Sequence, residues 1–93
     1  MIVGRAELEL LLPEAYSLKD RRQVLWSLLE RLRRRFHLAA AETGDQAHWN
    51  QAVIGLACVS NDHAHARKIL DEAIRFVEND GRCEVINCWS EVD

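Results

Sequence analysis

The chain has 93 residues, 48% of them apolar and 29% charged, with a formal net charge of −3. That supports one hydrophobic core and not two, so a single domain over residues 1–93 is expected. A pI near 5.8 excludes a polycation that holds nucleic acid over its whole surface; any such contact must come from a local patch.

Residues 2–12 alternate, with Ile2, Gly4, Ala6, Leu8 and Leu10 on one side and Val3, Arg5, Glu7 and Glu9 on the other. This is the pattern of a half-buried strand with one wet face. The acids inside this apolar stretch argue against a signal peptide, and no apolar run approaches the ~20 residues that span a bilayer. Cytoplasmic residence without membrane contact is the expectation. Pro13 ends the strand.

Ser17 and Asp20 form a capping pair at the head of a helix reaching Phe36. Leu18, Leu25, Leu28, Leu29, Leu32 and Phe36 recur at three- and four-residue steps and predict its apolar stripe. Arg21 lies near that stripe and is expected to reach past the core edge into water. Between Lys19 and Arg35 stand seven Lys/Arg and two acids, a net +5. Two readings fit. The arginines complement the helix dipole and solvate its outer face, or they form an anion or RNA-phosphate patch. Trp26, on the flank near Arg22, Glu30 and Arg33, either covers the core rim or stacks on a base or partner.

Residues 37–43 predict a short second strand with Leu38 and Ala40 inward, followed by a loop from Asp45 to Asn50 that carries His48 and Trp49. Residues 51–59 are apolar on both parities, as in a central strand. Ser60-Asn61-Asp62 supplies cap chemistry for a second helix, whose stripe is Ala66, Ile69, Leu70, Ala73 and Val77, with Gly81 at its exit. A last strand over 83–92 places Ile86, Cys88 and Val92 on one side and Val85, Asn87 and Trp89 on the other. The order β-α-β-β-α-β predicts an α+β, ferredoxin-like fold: a four-stranded antiparallel sheet with two helices on one face and strand order 4-1-3-2.

The bare face of that sheet carries Val53, Gly55, Ala57 and Val59 beside Trp89, a smooth surface suited to a homo-oligomer interface. Its central strands present Glu7 and Glu9 and no aromatic side chain, which disfavours RNA binding on that face. The three cysteines lack C-x-x-C spacing and are expected as reduced, mostly buried thiols. His63 and His65, two apart on a helix, cannot share one ion, and no metal, cofactor or catalytic constellation is expected.

Ser17-Leu18-Lys19-Asp20-Arg21-Arg22, Arg31-Leu32-Arg33-x-Arg35-Phe36, Ala41-Glu42, Trp49 and Gly55-Leu56-Ala57-x-Val59-Ser60-Asn61-Asp62 together resemble the YlxP-like family of small bacterial proteins. The likeness runs over nearly the whole chain. It implies a ferredoxin-like fold and, through the frequent placement of such genes beside translation-initiation and ribosome-maturation factors, an RNA- or ribosome-associated role. The expected function is therefore a non-enzymatic binding module that holds RNA through Lys19, Arg22, Trp26 and Arg33. The alternative is a self-assembly or protein-interaction domain using Val53, Gly55, Ala57, Val59 and Trp89.

Overall fold

The N-terminal alternation forms β1 (Ile2–Leu11) in a computed structural model that describes residues 1–44 and 49–93. The chain continues through α1 (Leu18–Phe36), β2 (Ala39–Glu42), β3 (Gln51–Ser60), α2 (His63–Glu78) and β4 (Glu84–Val92). The strands stand in the order β2-β3-β1-β4, and each neighbouring pair is antiparallel. The ferredoxin-like topology and strand order are those expected. The first four residues of the loop predicted over Asp45 to Asn50, His48 included, lie outside the described residues.

The core is a sandwich of one sheet face against two helical stripes. β1 contributes Ala6, Leu8 and Leu10, and β3 contributes Ala52, Ile54, Leu56 and Cys58. Leu25, Leu28, Leu29 and Leu32 of α1 and Ala66, Leu70, Ala73 and Val77 of α2 close on them. Each fully buried leucine or isoleucine contributes about 1.5–3 kcal/mol. Gly4 lets α2 sit close: a Cβ there would lie 3.0 Å from Cys58 Sγ and 3.1 Å from Leu70 Cδ1.

The caps explain where the helices begin. Ser17 Oγ accepts from the Asp20 N–H at 3.1 Å, while the Asp20 carboxylate accepts from the Tyr16 N–H, one residue outside the cap. Asp62 Oδ2 accepts from the His65 N–H at 3.0 Å and starts α2. At the other end of α1, His37 takes a left-handed conformation with φ 51°, so the chain reverses within two residues. Leu38 and Ala40 then point inward as expected.

Four expectations are corrected. Leu18 is 53% exposed. Arg21, one turn later, already meets the carbonyl of Gln51 at the start of β3, so the first turn of α1 overhangs the sheet. Arg21 does not reach water. It is 4% exposed, its guanidinium forks onto the Glu42 carboxylate, and its Nε donates to Gln51 O at 3.2 Å. In β4 a bulge changes the parity: Glu9 pairs with Asn87 but Leu10 pairs with Val85. Val85 therefore packs on the core and Ile86 is 51% exposed, the reverse of the alternation read from sequence, whereas Asn87 and Trp89 face outward as expected. Gly81 has no left-handed role. α2 ends on Asn79, and the Asp80 carboxylate shapes the following turn by accepting from the Arg82 N–H at 2.9 Å. Of the three thiols, Cys58 and Cys83 are buried and Cys88, on the edge strand β4, is exposed.

Candidate functional site

Lys19, Arg22, Trp26 and Arg33 fall within an arc of roughly 60° on α1, as their spacing requires at 100° per residue. Lys19 and Arg22 are exposed, and Arg22 makes no ion pair among the described residues. Trp26 is 69% exposed, so most of its indole stands in water and not over the core rim. Arg33 is already engaged. Its Nε and Nη2 donate to Ala40 O at 3.0 and 2.6 Å, and its Nη1 lies 3.7 Å from Glu30. Ala40 belongs to an edge strand, so Arg33 closes a carbonyl left without a ladder partner. Glu30 also holds Arg34 at 3.2 Å.

The opposite flank of α1 faces α2. There Arg35 lies over two rings, its Cζ 5.7 Å from the centroid of Phe36 and 5.5 Å from that of Phe76. The rings themselves meet edge to face at 5.6 Å. Two adjoining depressions of about 570 and 390 Å³ share Arg35 and Phe76; Arg75 lines the first, Arg31 and Arg34 the second. Sequence reasoning singled out the arginine run but missed Arg75 and Phe76. Their signal was available only through the fold, which sets α2 beside α1.

On the open sheet face the register lines up Trp89, Glu7, Gly55 and Ala41 in one row and Glu91, Arg5, Ala57 and Ala39 in the next. Val53 and Val59 continue the β3 surface on either side. The rows enclose a depression of about 500 Å³ whose floor is Gly55, Ala57, Ala39 and Ala41. Trp89, 52% exposed, stands at one side, with Arg5 5.9 Å from its ring and paired to Glu91 at 3.0 Å. Thr43 closes the other side and donates to Glu7 at 3.1 Å. A Cβ at Gly55 would come 2.7 Å from Thr43 Cγ2, so a larger residue there would have to turn the threonine side chain aside. The structure thus brings together Gly55, Ala57 and Trp89 of the expected interface and adds Arg5 and Thr43.

Elsewhere the chemistry is quiet. Burial pushes the Cys83 thiol up to about 11, and burial likewise raises Cys58, so neither is poised as a thiolate nucleophile. Among the described residues no group of three or more His, Cys, Asp or Glu is placed to hold a metal ion, and no helix is long and apolar enough to cross a membrane.

Comparison with known structures returns the fold and little else. A de novo designed ferredoxin-fold protein matches with a TM-score of 0.60 at 11% identity, covering 100% of this chain and 84% of the other. The designed protein Foldit4 gives 0.57 at 9% identity over 100% and 97%. SnoaB of Streptomyces nogalater, a cofactor-independent oxygenase, gives 0.50 at 9% over 99% and 90%. Two designed proteins and an oxygenase on one scaffold illustrate that topology alone does not select a function. Sequence comparison is more specific. The uncharacterized protein YlxP of Bacillus subtilis (strain 168) is 32% identical over 78 residues, 84% of this chain and 85% of that protein. A family model described as a protein of unknown function, DUF503, matches residues 3–89. With the match spanning all six elements, the chain belongs to the DUF503, or YlxP-like, family.

Proposed function

We propose that the chain is a non-enzymatic module that binds RNA, free or within the ribosome, through the exposed flank of α1. The observation that carries this reading is Trp26. A large indole left in water beside Arg22 and Lys19 adds little to folding, and a stacked base would cover it while phosphates meet the cations. Arg33, fixed on Ala40, adds a positive field at a set position. The test is anisotropy of a labelled single-stranded RNA at roughly 50 and 200 mM salt. Trp26→Ala should weaken binding about tenfold. Lys19→Glu with Arg22→Glu should weaken it further and flatten the salt dependence. Binding that neither change alters would exclude this flank.

A second reading rests on the open sheet face. A second copy would seat its Trp89 on the small-residue floor of Gly55 and Ala57, bordered by Val53 and Val59. Light scattering after gel filtration decides it: a dimer that Ala57→Arg dissociates supports this reading, and a monomer at high concentration removes it. Glu7 and Glu9 in the middle of that face rank it second, because two copies would bring four carboxylates together.

A further inference from the structure

We infer that the crest between α1 and α2 is a binding site for the phosphates of an RNA backbone, formed by Arg31, Arg34, Arg35 and Arg75 around Phe76. The inference rests on the RNA reading above and extends it to a surface that reading does not use.

The argument begins with pairing. The chain has 15 acids against 12 Lys/Arg, so composition does not force arginines to go without carboxylates. Away from the crest every arginine but Arg22 finds one: Arg5 on Glu91 at 3.0 Å, Arg67 on Asp71 at 3.2 Å and Arg82 on Asp80 at 2.8 Å, Arg33 near Glu30, and Arg21 on Glu42. On the crest, Arg31, Arg35 and Arg75 make no ion pair among the described residues, and Arg34 shares Glu30 with Arg33. Glu72 lines the Arg35–Arg75 depression without an ion pair among the described residues, and Asp71 and Glu78 border Arg75 on its other side, whereas no described acid lines the depression of Arg31, Arg34 and Arg35. The positive charge is therefore concentrated there, and an anion that bridges these groups reverses the sign of their repulsion.

The geometry of Arg35 identifies the anion. Its guanidinium carbon lies over the rings of Phe36 and Phe76, an attraction that consumes none of its N–H donors. Those N–H donors make no hydrogen bond to the described residues and stay available for two-point bonding to an oxyanion. The adjoining depressions on either side of Arg35 offer two such positions in succession, as consecutive phosphates require. On the helical wheel Arg34 falls between the Trp26 flank and the α2-facing flank. A strand whose base rests on Trp26 can therefore carry its backbone over Arg34 to Arg35 and Arg75.

The experiment uses the whole chain and a labelled single-stranded RNA of about 12 nucleotides, titrated across a salt series. Arg31 and Arg75 are exposed, so Arg31→Gln with Arg75→Gln should leave the thermal melt in place. The double variant should bind about tenfold more weakly at low salt. The slope of log K against log salt should shrink by about 1.4, the value for two phosphate contacts on a single strand. Arg35→Gln, one contact, should shrink the slope by about 0.7. If it unfolds through loss of its ring contacts, the Arg31/Arg75 variant still decides. RNA binding that keeps its affinity and slope in both variants overturns this site and leaves the Trp26 flank standing. Binding lost in the crest variants but retained in Trp26→Ala supports the crest and removes the flank. A wild-type chain that binds no RNA at low salt overturns both.

Discussion

At the β2 edge, Arg21 and Arg33 of α1 end on the Glu42 carboxylate and on the carbonyls of Gln51 and Ala40. At the crest, Arg31 and Arg35 of the same helix end in solvent or on the face of a ring. One run of like residues thus does two kinds of work, divided by the angle at which each leaves the helix. Arginines aimed at the short edge strand satisfy backbone groups that no ladder serves, and those aimed at α2 keep their donors. A count of positive charge cannot separate the two; what separates them is which acceptors the fold brings within reach.

That contrast can be broken first at Arg21. Arg21→Ala leaves Glu42 largely buried without its fork and should cost about 3–5 kcal/mol in urea unfolding. Arg21→Met combined with Glu42→Leu should recover most of the loss, since an apolar pair of similar volume carries no desolvation penalty. A double variant as unstable as Arg21→Ala would show that the pair contributes more than charge compensation. Next is Arg33→Ala, which frees Ala40 O and should cost about 1 kcal/mol. Amide exchange should speed up across Ala39–Glu42 and stay unchanged in β1. The smallest effect belongs to Arg82, half in water beside the turn after α2. Its hydrogen bonds hold the Asp80 carboxyl below the ordinary 3.8, so that stabilisation is complete above this value and fades as pH falls through the native one. Arg82→Ala should therefore shrink the loss of stability seen from about pH 5 downward, with little change in the shape of the curve above it.

Most of the architecture was legible because its signals were redundant. In β1 every inward residue is apolar and every outward one from Arg5 to Glu9 is charged, which leaves one register. β4 lacked that redundancy. Val85 and Ile86 are both apolar, so alternation could not show which of them is the bulged residue. Arg21 was misread for a different reason: its partner Glu42 lies on another element, and only the packing of α1 against β2 brings the two together. Lys19, Arg22, Trp26 and Arg33 share one flank of α1, as spacing alone dictates, yet only the fold reveals that Arg33 is tied down and that Arg75 and Phe76 lie beside the arginine run.

The reversal at His37 and Leu38 has a mechanical consequence. With only two residues between helix and strand, and two guanidinium lashings farther along, α1 cannot slide on its axis without dragging β2. The two elements are tied at three points: the His37–Leu38 reversal, Arg33 on Ala40 and Arg21 on Glu42. The strand so fastened is the one whose Ala39 and Ala41 help pave the concavity on the far side.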